Sequence, residues 1–562
     1  VRECQEPIHP VEHWPLSLVG SPASRRSRTG PGAGPNPTHP AIPLPRPVRH
    51  SRPMLATITS GAVLGVDAYP VRVEVDLARG LPSMTLVGLP QGAVREARER
   101  VTAALVNSGF QVPPRRVTIN LAPADIPKTG SAFDLPIALA LLAAGGAFWD
   151  GDLTATCCVG ELGLDGSIRP VHGALAVALM CKRQGIAGLV VPQANGAEAA
   201  AVAGLDVRNA STLRDVVRFL GGGPLPRAVA LVPAADDRTG LSDFADVMGQ
   251  ETARRAVEVA AAGGHNLLMI GPPGSGKSMM AKRLPSILPP LSHTEALDAT
   301  RVHSVAGRLR PGAGLLRARP FRAPHHGVSD AGLVGGGGVP RPGEASLAHH
   351  GVLFLDELPE FRRSALEALR QPAEEGVIHI GRARAAVRLP ARFMLVAAMN
   401  PCPCGHYGDD TGRCECSPER VRRYRAKVSG PLYDRIDIHV EVPRPRPSQL
   451  AGPGRSEPSH VILERVVAAR ERQTRRYAGT GMLSNAQLDP AMTRRHCRLD
   501  ESGVALLEAA IRRLGLSGRA HHRVLRVART IADLESTETI DPSHVAEAIQ
   551  YRCLDRTFPV SV

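Results

Sequence analysis

The sequence predicts a multidomain α/β protein. It comprises a small α/β domain toward the N-terminus, a central domain with a parallel sheet around a phosphate-binding loop, and a C-terminal helical bundle. Three observations carry this. Residues 265–278 read HNLLMIGPPGSGKS, an apolar strand, a glycine-rich loop and the start of a helix. Residues 351–357 read GVLFLDE, a buried strand ending in two carboxylates. Near the C-terminus Leu506, Leu507, Ala510, Ile511 and Leu514 recur at helical spacing.

At 562 residues, a chain of about three domains is expected. Lys and Arg number 68 against 53 Asp and Glu, a formal charge of +15. That excess suits a polyanionic partner, most simply nucleic acid; an arginine-rich composition that follows genomic base bias gives the same charge. The longest apolar run, 135–148, contains Pro136 and two glycines and falls short of the ~20 residues of a membrane span. Residues 14–19 are too broken for a signal-peptide core, so a cytoplasmic protein without a membrane partner is expected. Four of the ten cysteines cluster in a manner that suits metal ligation rather than a secreted disulfide framework.

Residues 1–53 are rich in Pro, Arg, Gly and Ser without periodicity, and bury too little apolar surface to offset chain entropy. They read either as an extension upstream of a natural start at Met54 or as a basic arm that touches nucleic acid. Residues 54–222 read as the small α/β domain. Val71, Val73 and Val75 alternate with polar residues as a strand, 91–108 is helical with Gly109 as its cap, 117–121 is a strand, and 137–144 is an apolar helix. The phrases PADIPKTGSAFDLPIALAL and GELGLDGSIRPVHGALAVAL resemble the proteolytic domain of Lon, in the ribosomal-S5-like fold. Lon-type proteases use a Ser–Lys dyad. The resemblance puts the nucleophile position on Ala132, beside Ser131, and the lysine position on Leu175. A serine needs a neighbouring base to become nucleophilic, so a protease-dead domain is expected. Residues 223–240 read as a linker.

Residues 241–447 form the central domain. Gly271, Pro272, Pro273, Gly274, Ser275, Gly276, Lys277 and Ser278 match G-x-x-x-x-G-K-[ST]. Glycines let backbone N–H groups converge on phosphate oxygens, and the helix that follows aims its positive end at the same place. Lys277 reaches the β and γ phosphates, and Ser278 ligates Mg²⁺. Asp356 holds Mg²⁺ through water, and Glu357 polarises the attacking water.

Three longer stretches, DVMGQETARRAVEVAAAGGHNLLMIGPPGSGKS, FRAPHHGVSDAGLVGGGGVPRPGEASLAHHGVLFLDELPEF and SGPLYDRIDIHVEVP, resemble the YifB/ComM family. These are AAA+ ATPases of the magnesium-chelatase-like clade, and the resemblance runs from about Met54 to Tyr551. It implies ATP and Mg²⁺ as cofactors, a homo-oligomeric ring of hexameric size, and branch-migration helicase activity on DNA in recombination and natural transformation. An ATPase that remodels a protein instead of DNA is the alternative. Asn400 resembles the sensor that positions the lytic water, Arg435 the arginine finger given to a neighbouring subunit, and Arg519 the second sensor in a helical lid. Arg523 and Arg526 compete with Arg519 for that role.

Two insertions mark the clade, one from Ala323 through His325 and His326 to Gly338, the other at 377–389. In the second, Ile378, Ile380, Val387 and Leu389 bracket a basic hairpin tip. In a ring the tip faces the pore, where Arg382, Arg384 and Arg388 would contact phosphates without reading sequence. Within 402–416, Cys402, Cys404, Cys414 and Cys416 give two C-x-C pairs, a set that suits structural tetrahedral Zn²⁺. His406 is a substitute ligand. Residues 448–562 are the helical lid, with Asp541 capping a helix that starts near Pro542 and runs to Tyr551.

Overall fold

The computed structural model describes residues 55–147, 153–231, 241–338, 340–382, 385–408, 412–445 and 456–552. The readings made for residues 1–53 lie outside them.

Alternating valines build the first sheet. Strands β1 (Leu55–Leu64) and β2 (Asp67–Ala78) make a long antiparallel hairpin, with Leu64 opposite Asp67. Val71, Val73 and Val75 fall on one face and are fully buried. Five more strands follow, β3 (Ser83–Val87), β4 (Arg116–Ala122), β5 (Thr156–Cys158), β6 (Gly188–Pro192) and β7 (Asp206–Ala210). The mixed sheet has the order β3-β4-β2-β1-β5-β6-β7. Helices α1 (Ala97–Asn107) and α2 (Asp134–Ala144) pack in one hydrophobic cluster with β1, β2 and β4, while α3 (Ala174–Gln184) packs in another with Leu189 and Val191. Val190 belongs to the first cluster, so β6 is buried on both faces and reads as a continuous apolar run. The expected linker begins later than 223. Leu225 is buried, and Asn209 donates its N–H to the Pro226 carbonyl while Ala228 donates to Val207, which adds an edge along β7.

The second sheet is parallel throughout. Its strands are β8 (Leu267–Ile270), β9 (Phe321–Arg322), β10 (Val352–Leu355), β13 (Met394–Met399) and β14 (Ile438–Glu441), in the order β9-β10-β13-β8-β14. Between β10 and β13 the hairpin β11 (Val377–Arg382) and β12 (Ala385–Pro390) pairs Val377 with Pro390. Its base is apolar. Ile378, Val387 and Leu389 are buried, and Val66 of the β1–β2 turn joins the same cluster, so the first domain wedges against the foot of the hairpin. Helices α4 (Glu251–Gly263), α5 (Lys277–Ile287) and α6 (His293–Val305) flank this sheet.

After α7 (Pro418–Arg425) the C-terminal bundle is built chiefly from α8 (Ser459–Arg476), α9 (Glu501–Leu514), α10 (Gly518–Leu534) and α11 (Pro542–Gln550), with a short helix at Pro490–His496 between the first two. Asp541 caps α11 as expected, and α10 starts six residues ahead of the expected Val524 because Ser517 accepts the Ala520 N–H. Val466, Val524 and Ile531 share one core with Val257, Met280 and Leu284, so bundle and central domain are packed as a unit. Among the described residues no helix is long and apolar enough to cross a membrane.

Candidate nucleotide site and cysteine cluster

Strand β8 is buried at every position, and the chain leaves it through Gly271, where a Cβ would lie 2.0 Å from the Val442 carbonyl oxygen. Gly276, at φ +94°, then turns the loop into α5. The first N–H groups of α5 are left without helical partners and face the loop. Lys277 folds over it. Its Nζ donates to the carbonyls of Gly271 (2.8 Å) and Pro272 (2.9 Å) and stands 3.4 Å from Asn400 Oδ1. Burial pulls the Lys277 ammonium below its usual pKa, with the nearby Asp356 acting in the opposite direction. Ser278 Oγ donates to Asp356 Oδ2 at 2.6 Å. A hydroxyl and a carboxylate in contact are the hard oxygen donors that Mg²⁺ takes, so the residues present fit that ion.

The loops after β8, β10 and β13 supply Lys277 and Ser278, Asp356 and Asn400. These strands are direct neighbours in the parallel sheet, so their carboxyl ends meet. Glu357 follows with a left-handed backbone, φ +53°, and His326 Nδ1 lies 3.4 Å from its Oε2. That contact was not legible in the sequence, which placed His326 in an insertion without showing that the insertion folds back onto the acid. Gln250 was also missed. Its Nε2 donates to the Ser275 carbonyl at 3.3 Å and to that of Pro443, and it lines a cleft of about 420 Å³ beside the loop with Thr252, Glu441 and Arg444.

Arg435 stands at the other end of the sheet. Asn266, which precedes β8, donates Nδ2 to the Arg435 carbonyl at 2.9 Å. A four-residue strand, about 13 Å, separates that level from the phosphate loop. The guanidinium donates to the Glu374 carboxylate and the Pro431 carbonyl. Arg519 is exposed in the first turn of α10. The same helix places Arg523 Nε 3.2 Å from Asp437 and Thr530 Oγ1 2.8 Å from His265 Nε2. Helix α10 therefore runs along the amino ends of the strands, and the expectation of a lid over the chain's own nucleotide is corrected. At this contact burial pushes the Asp437 carboxyl up, but Arg526, His265 and Arg523 outweigh that and hold it well below the usual carboxylate range.

Arg388 is exposed on β12, whereas the Arg382 side chain and Arg384 lie outside the described residues. In the first domain Leu175 is fully buried and Ser131 donates to the Glu161 carboxylate. Among the described residues the buried Lys128 ammonium has no hydrogen-bond partner.

The four cysteines converge. Cys402 Sγ is 3.3 Å from Cys404 Sγ and 3.9 Å from Cys414 Sγ, Cys404 and Cys414 are 3.7 Å apart, and all four sulfurs lie within 4.8 Å of one another. Tetrahedral Zn²⁺ with Zn–S bonds of about 2.3 Å sets sulfurs about 3.8 Å apart, so the set fits the ion. The Cys404 thiol is drawn down to about 6 by the His406 backbone N–H and the neighbouring thiols. A second group, Asp298, His349 and His350, is equally close but fits poorly. His349 Nδ1 accepts the Arg392 N–H, which leaves the proton on Nε2, and Asp298 is engaged by Arg301.

Comparison with known proteins agrees with this architecture. The family model described as magnesium chelatase, subunit ChlI, matches residues 243–450; that for subunit ChlI of Mg-chelatase matches 73–195, and that for the ChlI C-terminal region matches 456–552. The uncharacterized protein YifB of Salmonella typhimurium is 47% identical over 506 residues, 89% of this chain and 98% of that protein. The competence protein ComM of Haemophilus influenzae is 46% identical over 507 residues, with the same coverage. The magnesium-chelatase 38 kDa subunit of Acidiphilium rubrum is 26% identical over 333 residues, 54% of this chain and 88% of the subunit. The chain therefore belongs to the YifB/ComM family of magnesium-chelatase-like AAA+ ATPases.

Proposed function

We propose that this ATPase works as a homo-oligomeric ring, of hexameric size, that moves on DNA and drives branch migration during recombination of incoming DNA. The observation that carries the reading is the split site. Lys277, Ser278, Asp356, Glu357 and Asn400 meet at one end of the sheet, and Arg435 is held at the opposite end. A cation needed at the γ-phosphate then has to come from the next subunit, which favours a ring. Arg519, exposed at the same end as Arg435, acts across the same interface. The formal charge of +15, the exposed Arg388 and the similarity to a competence protein support DNA as the partner. Arg382, Arg384 and Arg388 are the residues assigned to its phosphates. The first domain is a scaffold without proteolytic activity, with Ala132 and Leu175 in place of a dyad. Zn²⁺ held by Cys402, Cys404, Cys414 and Cys416 is structural.

ATP hydrolysis and unwinding of a branched junction, measured for wild type beside Lys277→Ala, test this. DNA should stimulate the wild type, and the variant should lose hydrolysis and unwinding. An ATPase indifferent to every DNA structure would overturn the reading in favour of a protein-remodelling motor.

A further inference from the structure

The cysteine loop is built onto the nucleotide site. Cys402, the one fully buried ligand, is two residues beyond Asn400, and Asn400 faces Lys277 at 3.4 Å. Gly405 donates its N–H to the Cys402 carbonyl at 3.0 Å, and its φ is +85°. A Cβ there would stand 2.7 Å from Pro273 Cδ in the phosphate loop itself. Beyond the fourth cysteine, Ser417 caps α7, and Arg425 of that helix reaches back, its Nε donating to the Pro401 carbonyl at 3.1 Å and its guanidinium lying over the Tyr407 ring. Among the described residues of 402–416, only Cys402 and Gly405 are buried, so the loop has little apolar packing to hold its shape.

We infer that the four-cysteine loop is a metal-fastened brace for the hydrolytic half of the ATP site. By fixing Cys402 and Gly405 it fixes Asn400 and Pro273 relative to Lys277. The metal itself stays outside the chemistry. This rests on the ATPase and zinc readings above. The helix that carries Lys277 and Ser278 packs in the main core through Met280 and Leu284, independently of the cysteines. Loss of the metal should therefore release the water-orienting Asn400 more than it releases the phosphates. A displacement near 1 Å at such a group can cost about 10²-fold in rate, whereas nucleotide affinity depends on contacts that stay in place.

The test uses the full chain. Zinc is counted by elemental analysis, nucleotide affinity is measured with a fluorescent ATP analogue, and hydrolysis is followed in single turnovers. The proteins are wild type, wild type stripped by a chelator and refilled with Zn²⁺ or Cd²⁺, Cys414→Ser/Cys416→Ser, and Gly405→Ala. Wild type should hold about one zinc per chain, the count one tetrahedral Cys₄ site requires. Stripped protein and the double variant should hydrolyse about tenfold or more slowly with affinity within about threefold, and refilling should restore the rate. Gly405→Ala should keep its zinc and still lose rate, because its methyl presses on Pro273 and its φ of +85° strains an alanine, and both unseat the loop from the phosphate loop. A zinc-free chain or a Gly405→Ala chain that hydrolyses at the wild-type rate overturns the brace while the zinc and ATPase readings stand. Wild type purified without zinc overturns the metal, and wild type that holds zinc but never cleaves ATP overturns the underlying ATPase reading as well.

Discussion

Glu357 is held in a left-handed conformation with its carboxylate beside His326, while Asp356, one residue earlier, is bonded to Ser278. A strained backbone of this kind costs about 1–3 kcal/mol and persists where the surroundings enforce it. If the chain hydrolyses ATP as proposed, the two acids divide the work, Asp356 beside Ser278 on the Mg²⁺ side and Glu357 beside His326 on the side of the water. Glu357→Gln should reduce hydrolysis by about 10²-fold or more, since it removes the polarising charge, and leave nucleotide binding intact. Steady-state ATPase rates beside binding of a fluorescent nucleotide check this; a glutamine variant that still turns over at the wild-type rate would reassign the base.

At the scale of elements, α10 and β14 share an apolar core, and one buried carboxylate sits at their join. Asp437 is buried with Arg523, Arg526 and His265 around it. Asp437→Asn leaves two guanidinium groups without their counter-charge, a change expected to cost about 3–5 kcal/mol. The pH dependence follows in sign. The folded carboxyl lies below its unfolded value of about 3.9, so its contribution is full above that pH and is lost as pH falls through the folded value. Urea midpoints of wild type and Asp437→Asn should differ widely at neutral pH and draw together below about pH 4. A gap that stays constant into acid would show that Asp437 is not the group holding the two elements together.

At the scale of the whole molecule, the positions of Arg435 and of the phosphate loop at opposite ends of one sheet make a prediction about mixtures. Arg435→Ala and Lys277→Ala proteins should each be inactive alone. Mixed in equal amounts, they should recover about a quarter of the wild-type rate, the chance that an intact loop faces an intact arginine across a heterologous ring interface. ATPase activity as a function of mixing ratio is the measurement. A mixture as inactive as its parts, with ring assembly verified by mass, would place Arg435 outside the catalytic interface.

The sequence by itself determined the chemistry that is local. The phosphate loop, the paired acids, the amide of Asn400, the cysteine pairs and the cap at Asp541 each reside in a few consecutive residues, where backbone geometry and side-chain type leave few alternatives. It also fixed the buried strands, because a four-residue apolar run has to be covered on both faces. Only the tertiary structure decided which of these pieces meet. Strand order brings Asn400 to Lys277, 123 residues away, and an insertion returns His326 to Glu357. Helix α10 meets the buried Asp437 at the amino ends of the strands, away from the place the sequence suggested for it. The pairing of residues 226–228 with β7 is likewise long-range and carries no local signal. Spacing along the chain carries propensity and reactivity, but the contacts that couple distant segments follow from how sheets and helices cover one another's apolar faces, and that is settled only when the whole core is packed.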